Sequence, residues 1–150
     1  MAQWPDYFLV DEAPEGRLTS YIMGKAEGNG KDCPGYPDEN FPWHGHVTAL
    51  TVDPDYRRLG LGECHMKELE EITEKTYDGY FVDLYVRHSN VVAIAMYEKF
   101  GYTKFRQVIG YYSGAQPEDA FDMRKALPRD KDNKSIVPLD PLQVEPGEFD

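Results

Sequence analysis

The chain has 150 residues, which is the size of one ordinary domain. Its 27 Asp and Glu against 16 Lys and Arg leave a formal charge of -11. Phosphate contacts need a clustered basic surface and anionic membranes attract cations, so this balance argues against a nucleic-acid binder and against membrane docking. With 41% hydrophobic and 13% aromatic residues, the chain is too apolar to be wholly disordered.

The cysteines and the N-terminus predict the compartment. Cys33 lies in a Gly/Pro-rich segment and Cys64 in a predicted helix, so the two do not form a disulfide framework and we expect reduced thiols. No apolar run approaches the roughly 18 residues of a membrane span, and the start lacks the features of a signal peptide. We therefore expect a cytoplasmic protein.

The first half of the chain alternates short apolar runs with turns. Tyr7–Val10 and Arg17–Gly24 flank a Pro-Glu-Gly turn and predict an antiparallel hairpin. Residues 28–42 are rich in glycine and proline and predict a long loop. Val47–Val52 predicts a strand, and the pattern from Leu61 to about Tyr77 predicts an amphipathic helix. The residues expected on its buried arc are Leu61, Cys64, Leu69 and Ile72.

The second half predicts a strand, a helix and two further strands. Tyr80–Val86 has the apolar character of a buried strand, and Asn90–Phe100 predicts a helix that ends at Gly101. Phe105–Tyr112 and Phe121–Lys125 are predicted strands on either side of a turn.

The order of these elements predicts an α+β, or mixed α/β, domain around one sheet. Beyond Pro128 the chain is polar and punctuated by prolines. We therefore expect the domain to span residues 1–127 and residues 128–150 to form an extended or disordered tail.

Residues 57–62 predict an anion site between a strand and a helix. Glycines allow a ligand to approach the backbone, and the first turn of a helix offers unpaired N–H groups and a favourable dipole. Arg57 and Arg58 add positive charge. The segment is neither a P-loop nor a Gly-x-Gly-x-x-Gly fingerprint. From these residues alone, a flexible helix entry with two solvated arginines is an open alternative.

The motif Arg57-x-x-Gly60-x-Gly62, followed by Asn90-x-x-Ala93-x-x-x-Tyr97, resembles the GNAT acetyltransferases. Further blocks are similar to the catalytic subunits of NatB-type N-terminal acetyltransferases, from about Trp4 through Pro138. These blocks are Trp4–Phe8, Tyr21–Glu27, Trp43–Leu50, Phe81–Leu84, Tyr111–Ser113 and Asp122–Leu127.

The resemblance implies the GNAT fold, a central mixed sheet with flanking helices. Family members begin with a strand and two helices before the block that matches Trp4, so we expect the first strand and first helices to be missing here. The loop between those helices forms one wall of the family's peptide groove.

The resemblance also implies an activity. The chain would transfer an acetyl group from acetyl-CoA, without a metal, to the N-terminal amine of proteins that start Met-Asp, Met-Glu, Met-Asn or Met-Gln. Implied partners are a large auxiliary NatB subunit and nascent polypeptide N-termini at the ribosome. Two alternatives stay open: a non-catalytic acetyl-CoA-binding or complex-assembly protein, and an acetyltransferase for small-molecule amines.

The resemblance implies which residues bind the cofactor, because in the family the turn holds the pyrophosphate and the preceding strand pairs with the pantetheine arm. Asn90 has a simpler alternative role as a helix cap. The residues implied for acetyl-CoA are Leu50, Val52, Arg57, Arg58, Leu59, Gly60, Leu61, Gly62 and Asn90.

His44 and His46 lie two residues apart and would share one strand face. A zinc site is not predicted, since catalytic zinc usually takes three protein ligands and no third one has suitable spacing. We expect a structural role for His44. For His46 we expect a base, because an α-amino group with a pKa of about 7.7–8.0 must lose a proton before it attacks. The resemblance places a histidine at this position.

Tyrosines are the remaining candidates. Tyr97 is either a core aromatic or, as the resemblance implies, the acid that serves the leaving thiolate. Tyr111 and Tyr112 should alternate across their strand, where tyrosine is common for its β-propensity alone. The resemblance implies that this pair grips the substrate backbone. His46 and Thr48 are candidates for recognising the second residue of the substrate.

Overall fold

The computed structural model of the chain describes residues 6–28, 43–139 and 142–145. Trp4, Cys33 and all of the predicted 28–42 loop except Gly28 lie outside these ranges. The chain divides into two compact units. The first contains residues 1–82 and 127–129, and the second contains residues 83–126 and 130–150.

Every predicted strand and helix is present among the described residues. The α-helices are α1 (Leu61–Lys75) and α2 (Val91–Lys99), with short 3-10 helices at Pro54–Tyr56 and Lys134–Ile136. The strands are β1 (Asp6–Glu12), β2 (Leu18–Glu27), β3 (His44–Val52), β4 (Phe81–Arg87), β5 (Thr103–Tyr112), β6 (Glu118–Ala126) and β7 (Gln143–Val144). β3 starts before the predicted Val47, and β6 starts where a turn was predicted.

In the first unit, β1, β2 and β3 form an antiparallel meander on which α1 packs. Gly24 of β2 allows α1 to pack closely on the sheet, because a Cβ at this position would lie only 2.6 Å from Leu69 Cδ1. The buried residues of α1 are His65, Met66, Leu69, Glu70 and Thr73.

The buried face of α1 differs from the predicted one. Cys64, expected on the buried arc, is exposed, while the neighbouring His65 is fully buried. His65 Nε2 lies 2.7 Å from Ser20 Oγ and 3.2 Å from Asp11 Oδ2. Polar partners on β1 and β2 thus accompany the burial of one ring nitrogen of His65, and apolar periodicity does not reveal such partners.

In the second unit the strand order is β4-β6-β5-β7, with β5 and β6 antiparallel and β7 parallel to β5. β7 belongs to the segment expected as an extended or disordered tail. In the same segment, Asp130 accepts hydrogen bonds from the backbone N–H groups of Lys134 and Ser135 at 3.1 and 2.9 Å. The domain boundary at residue 127 stays a prediction.

Neither α-helix found in the described residues has the length and apolar character needed to cross a lipid bilayer.

Candidate functional site

The predicted anion turn connects the 3-10 helix after β3 to the start of α1. Gly60 is the N-cap of α1 with a φ of 80°, and Arg58 also has a positive φ of 66°. Arg57 Nε donates to the backbone oxygen of Val52 at 3.2 Å, which ties the turn to the end of β3. Arg57, Arg58 and Leu59 are exposed, so a ligand can reach all three.

The N-terminus of α1 has the features of an anion site. Gly60 supplies no side-chain cap, and its carbonyl accepts the hydrogen bond from Cys64 N at 3.0 Å. The N–H groups of the three residues between them therefore lie before the first intrahelical bond and point out of the helix end. Glu63 would oppose an anion there, but Lys67 Nζ lies 3.2 Å from its carboxylate. Backbone donors and the helix dipole thus face the exposed turn.

We expect Gly60→Ala to lower the free energy of unfolding by about 1 to 2 kcal/mol, because a Cβ is disfavoured in the left-handed region. Gly62→Ala is the matched control: its Cβ would lie 3.9 Å from Leu50 Cδ2, and alanine favours a helix more than glycine does. Urea unfolding of the two variants measures the difference. Equal stability would contradict the left-handed geometry of the turn.

β3 presents the candidate base and its neighbours. His44 is fully buried, its ring stacks on Phe81 at 4.4 Å, and its Nε2 lies 3.2 Å from Glu27 Oε1. His44 therefore has the packing expected of a structural histidine. His46 is half-buried, and its Nδ1 lies 3.8 Å from the same Glu27 oxygen.

A β-bulge separates His46 from the predicted pantetheine strand. Gly24 pairs with Val47, and the next residue of β2, Met23, pairs with Ala49, so Thr48 is the extra residue of the bulge. Thr48 is exposed. Bulges redirect side chains and interrupt strand pairing, and they occur often beside active sites. Leu50 and Val52, both half-buried, resume the pairing with β2.

Asn90 and Tyr97 lie on α2. Asn90 caps this helix, since its Oδ1 accepts from Ala93 N at 3.2 Å. Tyr97 is half-buried and makes edge contacts with the rings of Phe100 and Tyr102 at 6.3 and 6.1 Å. Burial, and after it the nearby Tyr112, raises the pKa of Tyr97 above the ordinary 10.0. At neutral pH Tyr97 is thus a hydrogen-bond donor and not a base.

The tyrosine pair does not alternate as predicted. The register of β5 against β6 shifts between Val108 and Tyr112, and Gly110 has a φ of 64° with its N–H bound by Asp119 at 2.8 Å. The rings of Tyr111 and Tyr112 consequently meet edge to face at 5.1 Å.

Both rings of this pair have further partners. Tyr111 stacks on Tyr85 at 4.5 Å, and the Arg87 guanidinium lies 4.2 Å above the ring of Tyr112. The result is a compact aromatic surface with a cation on it.

The site residues thus fall into two sets, one in each unit. The anion turn lies in the first unit with His46, Thr48, Leu50 and Val52. The second unit holds Asn90, Tyr97, Tyr111 and Tyr112. Sequence reasoning missed Glu27, Tyr85 and Arg87, whose contacts depend on strand register and on rings distant in sequence.

Comparisons with known proteins identify the family. Residues 1–102 match the model of the acetyltransferase (GNAT) family. N-alpha-acetyltransferase 20 of Dictyostelium discoideum is 54% identical over 139 residues, which are 93% of this chain and 73% of that protein. The N-terminal acetyltransferase B complex catalytic subunit NAA20 of Arabidopsis thaliana is 51% identical over 151 residues, 100% of this chain and 80% of that protein.

A solved structure gives the same result. The crystal structure of Chaetomium thermophilum Naa20 in complex with a bisubstrate analogue superposes with a TM-score of 0.78 at 39% identity, covering 93% of this chain and 76% of that one. The predicted fold, a mixed sheet with flanking helices, is confirmed. The chain therefore belongs to the GNAT family of acetyltransferases, within which it is similar to NatB catalytic subunits.

Proposed function

We propose that this protein transfers the acetyl group of acetyl-CoA to the N-terminal amine of proteins that begin Met-Asp, Met-Glu, Met-Asn or Met-Gln. The observation that carries the proposal is the exposed Gly60 turn at the N-terminus of α1, whose Arg57-x-x-Gly60-x-Gly62 sequence resembles the family's cofactor motif. Relatives at 54% and 51% identity are N-terminal acetyltransferases, which supports the choice of substrate.

Acetyl-CoA is the co-substrate that this turn fits. It supplies an activated thioester and a negatively charged pyrophosphate. The outward N–H groups of Leu61 and Gly62 would bind the pyrophosphate, assisted by the dipole of α1. Arg57 and Arg58 would matter most, because the net charge of -11 otherwise opposes an anionic ligand. Leu59 and Gly60 would complete the phosphate side, and Leu50 and Val52 would bind the pantetheine arm. The resemblance gives Asn90 a contact with the pantetheine or phosphate region of the coenzyme.

His46 is the proposed proton acceptor. An α-amine with a pKa of about 7.7–8.0 is mostly protonated at neutral pH. The neutral imidazole of His46 has one ring nitrogen with a free lone pair, which can accept the amine proton. The neutral amine nitrogen then forms a bond to the acetyl carbon and the carbon–sulfur bond breaks. The second proton that the nitrogen loses goes to the departing thiolate through solvent, so the products are the amide and the thiol. Backbone N–H groups near Leu50, beside the bulge, would stabilise the carbonyl oxygen. His46 and Thr48 would also contact the second residue of the substrate.

Tyr97 is the proposed partner of the leaving sulfur. Because its pKa lies above 10.0 while a thiol has a pKa of about 8.5, full proton transfer from the phenol to the thiolate is unfavourable. Tyr97 therefore acts by donating a hydrogen bond to the sulfur as negative charge develops. Tyr111 and Tyr112 would hold the peptide backbone.

The assembly follows from the same proposal. The protein would act in the cytoplasm as the catalytic subunit of a NatB-type complex, with a large auxiliary subunit, on nascent chains at the ribosome. It would not bind nucleic acid or a membrane directly.

One assay tests this function. The chain, with and without the auxiliary subunit, is mixed with labelled acetyl-CoA and with peptides that begin Met-Asp or Ser-Gly, or with a polyamine. We expect label on the Met-Asp peptide only. Cofactor binding without any transfer would instead establish a non-catalytic acetyl-CoA-binding protein, and label on the polyamine a small-molecule acetyltransferase.

A further inference from the structure

Four polar residues share one face of the β2–β3 pair. Glu27 lies directly opposite His44, and Lys25 lies directly opposite His46. The intervening residues of both strands, such as Gly24, point to α1. Lys25, Glu27, His44 and His46 therefore project from the other side of the sheet. There the Glu27 carboxylate lies near both histidine rings.

The carboxylate of Glu27 is held by a buried partner. His44 Nε2 lies 3.2 Å from Glu27 Oε1, and the His44 ring is fully buried and nearly parallel to Phe81, at 5° and 4.4 Å. A ring packed in this way has little freedom to move, so it fixes the position of Oε1.

The same oxygen faces the proposed base. Glu27 Oε1 lies 3.8 Å from His46 Nδ1, while Lys25 Nζ lies 3.6 Å from the other oxygen, Oε2. At 3.8 Å the contact between Glu27 and His46 is too long for a hydrogen bond, but the negative charge of the carboxylate still favours the tautomer with the proton on the nearer nitrogen. With the proton on Nδ1, the lone pair of a neutral ring is on Nε2.

We infer that Glu27 is a positioning residue that holds the proton of His46 on Nδ1 and so presents Nε2 as the atom that takes the substrate proton. This inference rests on the proposed role of His46. A continuous series of contacts thus runs from the core to the proposed base, through Phe81, His44, Glu27 and His46 in that order.

Nitrogen-15 NMR of the histidine-labelled protein tests the inference directly, because the shifts of Nδ1 and Nε2 report the tautomer. We expect the Nδ1–H form for His46 in the wild type and a shift toward Nε2–H in Glu27→Gln. In the same variant kcat should fall about tenfold with KM nearly unchanged. This loss is smaller than the about 10²- to 10⁴-fold effect of general acid–base catalysis, because the variant keeps His46 and changes only its tautomer.

Lys25→Gln is the matched control, since it removes the partner of Oε2 and leaves both histidines beside Oε1. It should keep the wild-type tautomer and kcat. An Nε2–H tautomer in the wild-type protein would overturn the inference without any variant. A wild-type spectrum in folded Glu27→Gln would also overturn it, even if kcat falls.

The spectrum also separates this inference from the proposed function. A tautomer that changes with Glu27 supports the positioning role whatever the turnover. Full turnover in His46→Gln would instead refute His46 as the base, and with it the catalytic meaning of that positioning.

Discussion

Tyr97→Phe should lower kcat by about 10²- to 10³-fold, the range for removal of one hydrogen-bond donor that stabilises developing negative charge, and leave acetyl-CoA affinity unchanged. The variant keeps the ring, and with it the edge contacts to Phe100 and Tyr102. It loses only the hydroxyl that is proposed to stabilise the thiolate. Single-turnover kinetics and calorimetry of acetyl-CoA binding measure the two quantities separately.

The control is Tyr80→Phe, which removes a hydroxyl from another half-buried ring, one that lies 4.3 Å beneath the Arg129 guanidinium. It should leave kcat unchanged. Burial raises the pKa of Tyr97 above the ordinary tyrosine value. The Tyr97-dependent part of the rate should therefore decline at a higher pH than it would for a solvent-exposed tyrosine. Full turnover in Tyr97→Phe would leave Tyr97 with the role of a core aromatic.

The largest expected loss of stability comes from Asp122→Ala in the second unit. Asp122 is fully buried, with Arg106 Nε at 2.9 Å and Arg124 Nη2 at 3.3 Å. Both guanidiniums are buried as well. Removing the carboxylate leaves two cations in a poorly solvated interior, so we expect a loss of about 3–5 kcal/mol in the free energy of unfolding. Urea denaturation measures it.

Glu71→Ala is the comparison, because the Lys75–Glu71 contact is shorter, at 2.6 Å, but exposed on both sides. Solvent-exposed pairs contribute about 0–1 kcal/mol, so this variant should unfold almost as the wild type does. Equal losses in the two variants would contradict the burial of the Asp122 cluster.

The local sequence predicted where the helices and strands lie, but it did not always predict which of their side chains are buried. The α1 pattern predicted a helix from Leu61, which the structure has. The same pattern predicted that Cys64 would be buried, whereas the buried residue is His65. The pattern failed here because apolar periodicity does not detect a polar side chain whose partners come from β1 and β2. Strand alternation failed at Tyr111 and Tyr112, where a shift in register after Val108 brings both rings together.

The sequence itself determined the acidic character of the chain, its order of strands and helices, the glycine turn that opens α1 and its likeness to one family. These features depend on neighbours in the chain, such as a glycine that must adopt a positive φ or a helix that begins after it. The bulge at Thr48 and the meeting of Glu27 with His44 and His46 were decided only by the tertiary structure. They depend on the register between strands separated along the chain, and a shift of one residue would send each side chain to the opposite face.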